Sequence, residues 1–186
     1  MASVPMYAAQ TVSGNQPRMR RLPEEGASGA GAQTFLQGTP VQVDTDGGIA
    51  AWNGTTVANG IAGIAKEYGH SLTTTGVGKT LSYGSVNNQP LAVNIPEGAP
   101  ANDGTIAVEP GVSDSIFYGQ VGPSQTTAAT DLYAKYGMTQ DSDGHWYVDK
   151  TKTGANAVVQ IVKIDTIDTV RGVYFVFLAS ALQALA

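Results

Sequence analysis

The chain has 186 residues, no cysteine, 23 glycines and only 13% charged residues, for a net charge of −5. That length suits one large domain or two small ones, with a sizeable core. The composition excludes long charged helices, a disulfide framework and any thiolate chemistry, and a cysteine-free chain fits a reducing cytoplasm. The charge is uneven. Before Glu24 the only charged residues are Arg18, Arg20 and Arg21, leaving seven of the 10 basic residues against all 15 acidic ones. A basic segment on an acidic body points to an acidic partner for that segment. Three arginines are too few to argue for nucleic acid.

Residues 1–32 read as an extended N-terminal arm. Pro5, Pro17 and Pro23 exclude long helices, and the stretch EEGASGAGAQ has no periodicity. The start carries no basic segment followed by an apolar one, so no secretory signal is expected. Residues 33–186 read as a β-rich body. In PVQVDTDGGIAAW, Val41 and Val43 alternate with Gln42 and Asp44, and Asp46-Gly47-Gly48 closes the strand with a turn. GIAGIAKEYG reads as a strand because Ile61 and Ile64 are β-branched. KTLSYGSVNNQPLAVNIPEG reads as two strands about Asn87-Asn88-Gln89-Pro90, the second ended by Pro96.

TIAVEPG and SIFYGQVG are further short strands. TAATDLYAKYGM reads as the one short helix, with Thr130 as N-cap, Asp131 in the first turn and Gly137 as the stop. HWYVD is a strand. NAVVQIVKID and GVYFVFLASAL are apolar on both faces, which places them centrally, and the short link from Thr166 to Arg171 makes them a hairpin. The expected fold is therefore mainly β, a β-barrel or β-sandwich-like body. The most apolar stretch, Val173 to Leu178, is far too short to span a membrane as a helix.

Three motifs suggest chemistry. TTTGVGKTLS ends like a phosphate loop, but the position five before Gly78 is Thr73 where glycine is required. Its continuation, LSYGSVNNQP, is a poor helix, so the string reads as a Gly-flanked loop entering a strand near Thr80, with Lys79 a surface cation. Asp44-Thr45-Asp46-Gly47 and Asp141-Ser142-Asp143-Gly144 resemble the start of a calcium loop. Its fifth and twelfth positions hold Gly48 and Thr55 in one case, His145 and Lys152 in the other. Both read as hairpin turns. His70 and His145 lie in no metal-binding spacing, and Glu24-Glu25 is poorly placed for paired carboxylate catalysis. No catalytic, cofactor-binding or metal-binding residue is assigned, and no enzyme activity is expected.

The C-terminal half resembles the head decoration, or cement, proteins of tailed bacteriophages. The segments that carry the likeness are TAATDLYAKYGM, DSDGHWYVDKTK and AVVQIVKIDTIDTVRGVYFVFLAS. Within them stand Thr127 or Thr130, Asp131-Leu132, Tyr136-Gly137, Trp146-x-Val148-Asp149 and the strands from Val158 to Phe177. Upstream, TFLQGTPVQV and NGIAGIA resemble that family's first strands, so the likeness spans roughly residues 33–180. It implies a structural protein without cofactors, made in the host cytoplasm. It would bind the outer surface of a capsid, bridge neighbouring major capsid proteins and form a homo-oligomer, a trimer above all. Neither nucleic acid nor a membrane is an expected partner. Arg18, Arg20, Arg21 and Tyr7, all in the arm, are the expected partner-binding residues. The alternatives are another virion component, such as a tail- or fibre-associated β domain, or a carbohydrate-binding or hydrolase β domain.

Overall fold

The computed structural model describes residues 4–14, 19–24, 33–44, 47–54, 60–69, 73–74, 79–81, 93–95, 105–112 and 114–183. In chain order the strands are β1 (Tyr7–Thr11), β2 (Arg20–Pro23), β3 (Pro40–Val43), β4 (Ile49–Ala51), β5 (Gly63–Ala65), β6 (Thr73–Thr74) and β7 (Lys79–Leu81). They continue as β8 (Val93–Ile95), β9 (Thr105–Pro110), β10 (Ser115–Gln120), β11 (Lys135–Gln140), β12 (Trp146–Asp149), β13 (Val159–Ile164) and β14 (Gly172–Phe177). The protein is mainly β. Its two larger sheets have the orders β1-β10-β14-β13-β11-β12 and β2-β9-β5-β3-β4, and β6-β7-β8 form a third, small sheet. The named pairings are all antiparallel.

Local turn chemistry builds the hairpins. Between β3 and β4 the Asp44 amide donates to the Gly48 carbonyl, and Gly47 has a φ of 87°, which glycine adopts freely. Between β11 and β12 the Asp141 side chain accepts the amides of Asp143 and His145, and Gly144 has a φ of 89°. β13 and β14 pair with each other and lie at the centre of the larger sheet, where their apolar composition is best buried. The TTTGVGKTLS string is part of a hairpin: Thr74 lies opposite Lys79 and Thr73 opposite Thr80. Lys79 thus lies in a strand and not at a helix N-terminus. Gly76 and Gly78 lie outside the described residues, as do His70 and the Asn87–Pro90 turn.

One expectation is corrected. The helix expected at TAATDLYAKYGM is a single 3-10 turn, Ala129–Asp131, after which the chain enters β11. The Asp131 side chain accepts the Ala128 amide, the Tyr136 hydroxyl and the Lys150 ammonium. Those contacts tie the segment to its sheet neighbours, and tertiary pairing overrides a weak helical pattern. Among the described residues the only helical turns are 3-10, the others being Gly154–Asn156 and Ala179–Ala181. Parts of the expected arm are described. Residues 7–11 form the edge strand of one large sheet and residues 20–23 that of the other. Met6 and Ala8 join the core and Glu24 is fully buried, so the described residues here are extended and docked on the body.

The main core draws on both large sheets. Phe117, Met138, Val148, Val159 and Phe175 pack with Trp52, Ile61 and Ile64. A second cluster, around Val41, Ile49, Ala62, Ile106 and Val108, lies on the other side of β5. The last described segment returns to the five-stranded sheet. Ile61 bridges Leu182, and the Gln183 side-chain amide bonds both the N–H and the C=O of Val43 at 2.7 and 2.9 Å.

Gly63 shows how tightly β5 lies against β9. A Cβ there would sit 2.3 Å from the Glu109 carbonyl oxygen and 2.8 Å from Val108 Cγ1. Gly63→Ala is expected to destabilise the fold by about 1–3 kcal/mol in urea denaturation, as overpacking does. Gly122→Ala, whose new Cβ would come no closer than 3.4 Å to a flexible glutamine, should be near neutral. Equal stability of both variants would contradict this packing.

Candidate partner-binding surface

Along β10, β13 and β14, Phe117, Ile161, Val173 and Phe175 are buried in the main core. Strand side chains alternate between faces, so Ile116, Tyr118, Gln160, Tyr174 and Val176 face away from that core. Cross-strand register places Tyr7 beside Tyr118, Tyr118 beside Tyr174, and Tyr174 beside Lys163. The ring centroids of Tyr7 and Tyr118 are 5.2 Å apart, and those of Tyr118 and Tyr174 are 5.3 Å apart. Cations stand at both ends. Lys163 Nζ lies 4.9 Å from the Tyr174 centroid, and Lys66 Nζ lies 5.9 Å from that of Tyr7, both within cation–π range. The result is a Lys-Tyr-Tyr-Tyr-Lys row across four strands of one sheet face, reached at one end from the other sheet.

Carboxylates brace this row. Tyr118 is the most enclosed of the three rings, and its hydroxyl bonds Asp165. Burial, followed by the charges of Asp165 and Asp168, pushes the Tyr118 phenol up to about 12. Burial and Asp165 also raise Tyr7 and Tyr174. For Asp165 itself burial favours protonation, but the amides of Ile167 and Asp168 and the Tyr118 hydroxyl outweigh it and hold the carboxyl below its ordinary value. At the other end Glu109, 5% exposed, bonds Lys66 at 2.5 Å and accepts the backbone amide of Ala8.

The four residues picked from the sequence are treated unequally. Tyr7 stands at the end of the row. Arg21 bonds Glu67 at 2.7 Å, and Glu67 follows Lys66, so Tyr7 and Arg21 meet on two sides of the same Lys-Glu dipeptide. Arg20 is exposed and, one position along the strand, belongs to the opposite face. Arg18 lies outside the described residues. Sequence reading missed Lys66, Tyr118, Lys163 and Tyr174. Tyr118, Tyr174 and Lys163 share a signal, a tyrosine or lysine at an outward position of adjacent strands, visible only once the register is known, whereas Lys66 arrives from beyond the end of β5.

Two depressions lie elsewhere. One, of about 320 Å³, is lined by Trp52, Asn53, Gln140, Trp146 and Lys152. Its tryptophans are 3% and 8% exposed, so they form the floor and present no open face for a sugar to stack on. The other, of about 410 Å³, runs past Gln33, Leu36, Gln140 and Asp143. Neither lining brings two carboxylates together. Ligand atoms of Asp141, Asp143 and His145 lie within 4.8 Å of one another. These are the residues that could hold a metal ion, although Asp141 Oδ1 already accepts the Asp143 and His145 amides that form the turn. The calcium-loop pattern passes over this set because it asks for oxygen, not nitrogen, at the position of His145.

No protein-family model, curated protein or solved structure matches the chain. The surface therefore has to be read from its own chemistry. Among the described residues no helix is long and apolar enough to cross a membrane.

This geometry makes two outcomes testable. Glu109→Ala removes the acceptor for both Lys66 and the Ala8 amide and should cost about 2 kcal/mol, the scale of charge-assisted hydrogen bonds. In hydrogen exchange the amides of β1 should then open before those of β13 and β14; uniform opening would contradict the clamp. Alkali tests the tyrosine row. A phenol raised on folding stabilises the protein fully below its ordinary value of 10.0, and that contribution is lost as pH rises towards about 12. Tm should fall across that window, and Tyr118→Phe should fall less steeply. An unchanged slope would show that Tyr118 does not titrate there.

Proposed function

We propose that the protein is a capsid decoration protein, which binds the outside of a phage head and bridges neighbouring major capsid proteins. The observation that carries this reading is the Lys-Tyr-Tyr-Tyr-Lys row. Two of its strands, β13 and β14, come from the stretch that resembles the family. Tyr7 and Tyr174, held in place on either side of the buried Tyr118, supply contact area at low entropic cost, and flanking lysines favour an acidic partner. Arg21 adds to the same end. Its exposed ion pair with Glu67 is worth about 0–1 kcal/mol, so it can be exchanged for a partner carboxylate at little cost.

The body is read as barrel-like. Support comes from two parallel bridges that link strands far apart in the sheet orders: Val121 with Val148, and Glu24 with Ile49. The protein acts as a homo-oligomer, a trimer above all, on the virion surface, where many copies on a lattice multiply modest affinities. It has no enzymatic role. Heads assembled without this protein provide the test. The purified chain should co-sediment with them and raise the temperature at which they release their contents. Failure to co-sediment would overturn the decoration reading, and co-sedimentation with tails alone would assign it to a tail component.

A further inference from the structure

Residues Asp131 to Ala134 form a tight turn. Leu132 has φ −60° and ψ 125°, Tyr133 has φ 64°, and the Ala134 amide donates to the Asp131 carbonyl at 3.0 Å. This is the type II geometry, whose third residue must have positive φ and is therefore usually glycine or asparagine. Tyrosine is a poor choice there. Tyr133 is the one non-glycine residue with positive φ among those described. Its surroundings hold it in place. Its amide donates to the Ile161 carbonyl, its carbonyl accepts from Gln160 Nε2, and Asp131 is buried among Ala128, Tyr136 and Lys150. Yet the Tyr133 side chain is 66% exposed, so the fold recovers little from burying the ring. A bulky residue held in a strained conformation and displayed to solvent calls for a use outside the chain.

We propose that Tyr133, with Leu132 beside it, is a preset anchor that inserts into an apolar socket with an acidic rim on the shell protein. This rests on the decoration reading above and names its contact. The rim chemistry follows from the charges around the turn. Lys135 lies across from Gln160, whose side chain reaches Tyr133, and Lys163 follows on the same strand. Both lysines are exposed, whereas the neighbouring carboxylates of Asp131 and Asp165 are buried and hydrogen-bonded. The exposed charge about the anchor is therefore positive in a chain of net charge −5. A second copy would bring the same lysines to face them, which disfavours a two-fold self-contact and favours an acidic partner.

The test joins stability to binding, using heads assembled without this protein as the probe. Tyr133→Gly and Tyr133→Asn relieve the strain and remove the ring. Each should raise Tm by about 2–4 °C and weaken head binding at least about tenfold. Tyr133→Phe should bind within about twofold of wild type. The double variant Lys135→Glu, Lys163→Glu should weaken binding most at low salt. If Tyr133→Gly is more stable but binds like wild type, the anchor is overturned while the decoration reading stands. If wild type itself does not bind heads, both fall. A Tyr133→Gly protein less stable than wild type would make the ring a support of the fold and overturn the anchor. Unchanged or tighter binding by the lysine variant would overturn the acidic rim. Wild-type self-association in sedimentation velocity that Tyr133→Gly abolishes would give the socket to a second copy and overturn the shell contact.

Discussion

The carboxylate of Glu109 is where the two large sheets are tied together. It belongs to β9, in the five-stranded sheet, yet it accepts the Ala8 amide of β1, in the six-stranded one. Burying a carboxylate is costly unless its oxygens are taken up by charged or N–H donors, and here Lys66 and the Ala8 amide take one oxygen each. The arrangement also uses a backbone group at the outer edge of β1, where edge strands are otherwise vulnerable. Much depends on it. β1 brings Met6 and Ala8 into the core and sets Tyr7 at the end of the tyrosine row, and Lys66 serves both the carboxylate and the ring. Stability and the proposed contact surface thus share one small group of atoms.

Much of the fold was legible in the sequence where the controlling chemistry is local. Asp44 to Gly48 and Asp141 to Gly144 read correctly as hairpin turns because Asx side chains and positive-φ glycines act within a few residues. The apolar runs that became β13 and β14 read correctly as a central hairpin because hairpin partners lie close in sequence. What the sequence did not reveal is non-local. Thr130 to Gly137 carries a passable helix signature, but Asp131 is claimed by Lys150 and Tyr136 and the backbone by β13. The pairing of residues 7–11 and 20–23 was not legible because their partners are not near them in the chain. Their partners, β9 and β10, lie about a hundred residues on.

The surface site was legible only in part, for the same reason. Tyr7 and Arg21 stood out by composition, as an aromatic and a cation in a segment of unusual charge. The tyrosines and lysines that give Tyr7 its setting come from four other stretches of chain and form a row only through register. Tyr133 was passed over because a type II turn has no signature when its third residue is not glycine. Only the backbone angle reveals it.

Both ends of the described chain cross between the sheets. β1 lies in one sheet and β2 in the other, while β14 lies in the first and Gln183 binds β3 of the second. This has a consequence for biosynthesis. Ala8 and its acceptor Glu109 are 101 positions apart, so at about 5–20 residues per second the first strands leave the ribosome about 5–20 s before their partners exist. The five-stranded sheet has all its strands by Pro110 but is latched by Gln183, and the six-stranded sheet waits for β14. Folding is expected to be slow, because pairing between strands so far apart in the chain dominates both sheets. The two arginines and the proline of RRLP are residues that discourage pairing of that waiting segment with the wrong sheet edge.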